Sequence, residues 1–165
     1  MADTPAPVEP AQTLDDCRTA LEAALWYAWR CGWHVFPCKP DKRPYTEHGF
    51  SDATTDIATI LARWKRWPNA QIGVACSMSG IDVVDLDRKD GKDGVATFAA
   101  WQGLESHGCD LIAESPTGGF HYCYQATPGA RIKNVEGLRR DGTSGDKKSG
   151  VDVRTDGYIV VPSPA

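Results

Sequence analysis

The sequence predicts an α+β fold built on a mixed or antiparallel sheet, and three observations lead there. Two N-terminal segments repeat apolar residues at helical spacing. Short runs rich in Val, Ile, Tyr and Phe, bounded by Gly and Pro, then follow with turn residues between them. Neither a G-x-G-x-x-G motif nor a P-loop lysine occurs, so the usual βαβ phosphate signatures are missing. The order reads helix, strand, helix, hairpin, helix, hairpin, hairpin.

The first twelve residues, MADTPAPVEPAQ, lack periodicity and read as a disordered lead-in. Thr13 is the expected N-cap of a helix carrying Leu14, Cys17, Leu21, Ala24, Leu25 and Ala28 on one face, with Gly32 as its stop. Trp33 to Pro37 reads as a short strand ended by proline, with His34 on its solvent side. Cys38 to Phe50 is a loop. Its Lys39, Lys42 and Arg43, with His48 nearby, are either a solvated surface or a cationic lip for phosphates. Thr55 is the expected cap of a second helix with Ile57, Ile60, Leu61 and Trp64 at helical spacing. Arg63, Lys65 and Arg66 complement its C-terminal dipole.

Gln71 to Cys76 is a strand, and Ser77 to Gly80 is expected to turn it into a hairpin with the run beginning at Ile81. Gly94 to Ser106 predicts an amphipathic helix, with His107 a C-terminal cation. Leu111 to Ser115 and Phe120 to Tyr124 form a hairpin around Pro116 to Gly119. On its second strand His121 and Cys123 share one face, and Phe120, Tyr122 and Tyr124 the other. Residues 126–150 are irregular and locally basic, and GTSGDKKSG reads as mobile. Val151 to Arg154 and Tyr158 to Val161 are expected to pair around Thr155 to Gly157.

Composition is that of a globular domain: 165 residues, 41% hydrophobic, 24% charged. A net charge of −4 gives no global basic footprint, so nucleic-acid binding would have to rest on local patches. No apolar run approaches the length of a membrane span and no secretory signal pattern opens the chain, so a cytoplasmic location is the default expectation. Six scattered cysteines without C-x-x-C spacing predict free thiols rather than disulfides or zinc.

The stretch Ile81-Asp82-Val83-Val84-Asp85-Leu86-Asp87 carries the chemistry. In an extended strand Asp85 and Asp87 project from one face, while Val84 and Leu86 point the other way into a core. Two like charges on one face repel by a few kcal/mol at an effective dielectric of ~20. Such a pair persists either on a wet strand face or around a bound hard cation such as Mg²⁺ or Mn²⁺. Asp82 and Asp90 read as a strand-edge and a loop residue.

The ordered set D-x-D (Asp85, Asp87), T-G-G-x-H (Thr117 to His121) and G-x-D-x-R followed by G-Y-x-V-x-P (Gly150 to Pro162) resembles the catalytic domain of the bifunctional DNA primase/polymerases, the prim-pol branch of the archaeo-eukaryotic primases of phages and plasmids. The flanks are similar as well: G-W-H-V-F-P, K-R-P-Y, H-G-F-S-D-A-T-T-D and W-P-N-A-Q-I-G-V-A. One departure is the C-terminal turn, where Asp156-Gly157-Tyr158 has one glycine fewer than the family's usual G-G-Y.

The resemblance implies a catalytic domain over residues 13–165 with an RRM-like unit holding the metal residues and an N-terminal αβ module packed against it. It implies that Asp85, Asp87 and Asp152 bind two Mg²⁺ or Mn²⁺ ions, and that His121 contacts the incoming nucleotide's phosphates. It brings Gly118 and Gly119, with Thr117, close to the triphosphate. Lys42, Arg43 and Arg154 are further candidates for phosphate or template contact. The implied activity is primer synthesis from NTPs or dNTPs on a single-stranded DNA template, and extension of those primers, with a helicase as a possible additional domain or partner. Two other readings of the residues stay open. One is a non-catalytic single-strand-binding module stacking bases on Phe120, Tyr122 or Tyr124. The other is a metal-dependent nuclease.

Overall fold

The computed structural model describes residues 11–101, 109, 111–115, 117–130 and 133–164. Helices α1 (Ala20–Arg30), α2 (Ile57–Arg66), α3 (Cys76–Ser79, a single turn) and α4 (Gly94–Ala99) accompany seven strands. These are β1 (Val35–Cys38), β2 (Gln71–Ala75), β3 (Ile81–Leu86), β4 (Leu111–Glu114), β5 (Phe120–Gln125), β6 (Val151–Arg154) and β7 (Tyr158–Val161). They form two antiparallel sheets, ordered β1-β2-β7 and β4-β5-β3-β6. The fold is α+β, as the sequence predicts.

The four-stranded sheet has the strand order of a ferredoxin-like β-α-β-β-α-β unit, with α4 as its first crossover. Its second crossover, residues 126–150, contains no helix among the described residues. Instead, turns hold it against β6: Leu138 N–H donates to Val151 O, Val135 and Val153 exchange backbone bonds, and Asp146 N–H donates to Gly137 O. Much of the segment expected to be mobile is therefore tied by hydrogen bonds, and Ser149 is buried.

The largest departure from the sequence reading concerns connectivity. Neither Ser77–Gly80 nor Thr155–Gly157 closes a hairpin. Each carries the chain from one sheet to the other, because β2 pairs with β1 and β7 while β3 pairs with β5 and β6. Helix α3 fills the first crossing, ending at Gly80 with φ 65°, a left-handed value suited to glycine. The two crossings run side by side, tied by Cys76 N–H to Gly157 O at 3.0 Å. The N-terminal αβ module thus takes its third strand, β7, from the far end of the chain.

One core serves both sheets. Val35, Ile72, Val74, Ile159 and Val161 cover one face of the small sheet beneath α1 and α2, which contribute Tyr27, Ile60 and Trp64. Ile81, Val83 and Cys123 of the large sheet join the same cluster. On the opposite face of the small sheet Phe36, Phe50, Ala53 and Tyr158 pack together, and Gly73 leaves room for the Phe36 ring.

Local boundaries differ where capping chemistry competes with periodicity. Thr13 caps only a short 3-10 turn, Leu14–Asp16; the chain then straightens at Cys17, and Thr19 caps α1 by accepting the Glu22 N–H. Gln12 accepts from Trp26 Nε1 at 3.4 Å, so the end of the expected lead-in touches α1; residues 1–10 lie outside the described residues. Asp56, not Thr55, caps α2, accepting from Thr59 N–H at 2.8 Å. Pro37 sits inside β1 rather than after it, which an edge strand tolerates. The described part of α4 stops at Ala99, and residues 102–108, including His107, lie outside the described residues. No disulfide joins the cysteines. Among the described residues no helix is long and apolar enough to cross a membrane.

Candidate active site

Register assembles the site. In the large sheet Ala113 lies opposite His121, His121 opposite Asp85, and Asp85 opposite Asp152. Directly opposed residues point to the same side, with Cβ atoms about 4.5–5.5 Å apart. One cross-strand row therefore carries His121, Asp85 and Asp152 on one face. The neighbouring row, Leu111, Cys123, Val83 and Arg154, adds a guanidinium to that face.

The side chain of Asp85 sits at the edge of the core. Its strand face begins with buried Ile81 and Val83, and Asp85 itself is only 8% exposed. This revises the expected facing: the apolar side of β3 is not solely that of Val84 and Leu86. Val84 is half-buried, and the Asp85 face is core for its first half and site for its second. The opposite face carries Phe120 and Tyr122, which stack at 6.3 Å between centroids, and Phe98 of α4 meets Tyr122 at 5.9 Å. The proposed stacking platform is thus partly engaged by the protein's own helix.

A guanidinium and an imidazole converge on Asp85. Arg154 Nε donates to Oδ2 at 2.9 Å, and His121 Nε2 lies 3.3 Å from Oδ1. Burial alone would raise the Asp85 carboxyl, but the hydrogen bonds and charges of His121 and Arg154 outweigh it and hold the group at about 2. Arg154 also reaches Asp152, Nη2 to Oδ2 at 3.7 Å. Burial opposes the charge on Arg154, yet its bond to Asp85 and the charges of Asp85, Asp152 and Asp87 push its pKa above the ordinary arginine value. The other face of the Asp152 carboxylate accepts Gly137 N–H at 2.9 Å.

Asp87 lies one residue past the end of β3, so strand alternation does not place it. A backbone frame does. Its N–H donates to Gly150 O and its C=O accepts from Gly94 N–H, both at 2.8 Å. A Cβ on Gly94 would collide with the Gly150 carbonyl. The Asp87 carboxylate pairs with Lys89 Nζ at 3.0 Å, and that bond raises the lysine's pKa.

Gly118 and Gly119 form the β4–β5 turn beside the end of β3. Gly118 has φ 75°, and a Cβ on Gly119 would meet Leu86 O and Ser115 Oγ. Close packing on β3 is thus sufficient to require Gly119. Ser115 Oγ accepts from Gly119 N–H at 3.0 Å and lies 3.1 Å from Thr117 Oγ1. The turn borders Arg88, which pairs with Asp93 at 3.1 Å.

Lys42 and Arg43 are not among the groups that meet at Asp85. Arg43 pairs with Asp41 at 2.6 Å, His48 with Asp52 at 3.2 Å, and Lys39 sits over the Tyr45 ring at 5.7 Å. Lys42, at φ 69°, is pinned through its carbonyl by the Tyr158 hydroxyl. Sequence reasoning missed Lys89, Arg88, Gly94 and Gly150. Lys89 and Arg88 stand directly after Asp87, but nothing in spacing alone distinguished them from a solvated charge run.

Three carboxylates offer hard oxygen donors, the set that suits Mg²⁺ or Mn²⁺. Among the described residues no three acidic, histidine or cysteine groups already form a cage; Arg154 and Lys89 hold the carboxylates in ion pairs instead. A sheet face where acidic and basic side chains meet is compatible with phosphoryl-transfer chemistry. The family comparison agrees with that class: the model for "Bifunctional DNA primase/polymerase, N-terminal" matches residues 24–165, and the chain belongs to that family. No curated protein matches the chain.

Proposed function

We propose that this domain is a template-directed nucleotidyltransferase that synthesises primers and extends them as a DNA polymerase in phage or plasmid replication. The observation that carries the reading is the in-register row of His121, Asp85 and Asp152, with Asp87 framed beside it. Asp85, Asp87 and Asp152 would hold Mg²⁺ or Mn²⁺, which when bound supplies activation of the attacking 3′-hydroxyl and charge neutralisation at the leaving pyrophosphate.

The chain's own residues do the remaining work. The carboxylate of Asp85 stays ionised far below neutral pH, so it is available as an oxygen donor under working conditions. Gly137 N–H fixes the orientation of Asp152, and the Gly94/Gly150 frame fixes that of Asp87. His121 and Arg154 flank Asp85 from opposite neighbouring strands and are placed to donate to triphosphate oxygens. Arg88 beside the Gly118 turn and Lys89 paired with Asp87 add further positive charge next to the carboxylates. The substrates in this reading are NTPs or dNTPs and a single-stranded DNA template; a helicase domain or partner would supply template.

The test is incubation with a single-stranded DNA template, Mg²⁺ or Mn²⁺ and labelled NTPs or dNTPs, with products sized on a gel. Elongating product supports the proposal. Shortened template in its place indicates a nuclease, and metal-independent binding without synthesis indicates a binding module.

A further inference from the structure

We infer that Arg154 is a built-in counter-cation of the carboxylate site, a positioning residue that must release Asp85 and Asp152 before both can ligate a divalent ion. The inference rests on the metal-site reading proposed above and assigns Arg154 a second state within it. The guanidinium spans the two carboxylates of the cross-strand row, at 2.9 Å from Asp85 and 3.7 Å from Asp152. His121 takes the remaining oxygen of Asp85 at 3.3 Å, and Gly137 N–H takes Oδ1 of Asp152. Asp85 Oδ2 and Asp152 Oδ2 are the two oxygens that Arg154 engages.

Electrostatics explains why such a residue is useful. Asp85, Asp87 and Asp152 put three negative charges at one end of a sheet, and two of them are directly opposed. Their repulsion is on the order of a few kcal/mol at an effective dielectric of ~20, and nearby positive charge offsets it. Arg154 and Lys89 supply that positive charge in the metal-free site. Burial does not lock the arginine in place: its side chain is 42% exposed, against 11% for that of Asp85. The backbone of Arg154 is held by pairing with Val83, so breaking the two guanidinium contacts would let the side chain turn outward without disturbing the strand. Once free, it stands beside the site as a donor for phosphate oxygens. Metal loading and triphosphate recognition would then be coupled through one side chain.

This role makes an unusual demand on mutants. Removing a residue that shapes a metal site ordinarily weakens metal binding; removing a competitor strengthens it. Arg154→Met keeps the packing of the aliphatic stem and removes the charge. Mn²⁺ titration by calorimetry is expected to give about tenfold tighter binding for Arg154→Met than for wild type, and near wild-type affinity for Arg154→Lys. Equal or weaker binding by Arg154→Met overturns the inference while leaving the metal site standing. Absence of Mn²⁺ binding by wild type and variant alike overturns the metal reading itself. A second measurement needs no variant: the Arg154 Nε–H resonance in the metal-free protein is expected to be protected from exchange by its bond to Asp85 and to lose that protection on Mg²⁺ addition. A protected signal that persists at saturating Mg²⁺ overturns the inference.

Discussion

Gly94→Ala probes how the fold places Asp87. The added methyl has to enter space held by the Gly150 carbonyl, which is backbone and cannot rotate away. That carbonyl accepts Asp87 N–H, and Gly94 N–H donates to Asp87 O, both at 2.8 Å. Overpacking of this kind costs about 1–3 kcal/mol. Weakening two backbone bonds adds roughly 1 kcal/mol each, less whatever relaxation recovers. A total of about 3 kcal/mol lowers the melting temperature by roughly 6–12 °C in a domain of this size. The assay is thermal unfolding followed by circular dichroism, paired with primer synthesis measured well below the melting transition. Gly91→Ala is the control. Gly91, unlike Gly94, has a left-handed φ of 76°, and nothing lies within 4 Å of an added Cβ. Its cost is limited to backbone strain of about 1–2 kcal/mol, and synthesis is expected to persist. Wild-type melting and wild-type synthesis by Gly94→Ala would refute the framing of Asp87.

Three other outcomes follow from the same geometry. In metal-free protein, Asp85 contributes about 2.5 kcal/mol to stability, because its folded carboxyl is held at about 2 and an unfolded one lies at ~3.9. That contribution is full above about pH 4 and is lost as pH falls through 2, so acid titration of Asp85→Asn should lack this component; identical acid transitions would contradict it. Asp56→Ala should destabilise by about 1 kcal/mol in urea unfolding through loss of the α2 cap, whereas Thr55→Ala, which removes no helix cap, should cost less. Gly119→Ala should lower the melting temperature measurably even without nucleotide, since its Cβ meets Leu86 O; an effect confined to nucleotide affinity would instead assign the glycine to phosphate approach alone.

Strand alternation and strand register account for different parts of the candidate site. Period-two alternation correctly put His121 and Cys123 on one face of β5, because a strand's faces are a local property. It could not show that this face is also that of Asp85, since register between strands separated by dozens of residues is set by packing. Asp87 was paired with Asp85 by alternation, yet β3 ends at Leu86 and glycines on two other segments position it. The two sheet crossings were read as hairpins for a related reason. Ser77–Gly80 and Thr155–Gly157 have turn composition, and composition does not reveal whether the chain returns to its own sheet or enters another. Thr19 and Asp56 were hidden behind nearby Thr13 and Thr55, which are comparable capping residues by type. Lys42 and Arg43 are candidates by charge alone, and the structure adds that Asp41, two residues from Arg43, pairs with its guanidinium.

We place the proposed activity on the face of the large sheet bearing the His121–Asp85–Asp152 row. Asp82 belongs to the same strand but points to the other side, opposite Tyr124. The most direct measurement compares template-dependent synthesis by wild type, Asp85→Asn, Asp152→Asn and Asp82→Asn, each shown folded by circular dichroism. Both row variants are expected to lose synthesis by at least about a hundredfold, the order of a preorganised charge at a reacting centre, while Asp82→Asn retains it. Synthesis surviving in folded Asp85→Asn or Asp152→Asn, or lost only in Asp82→Asn, would contradict the assignment.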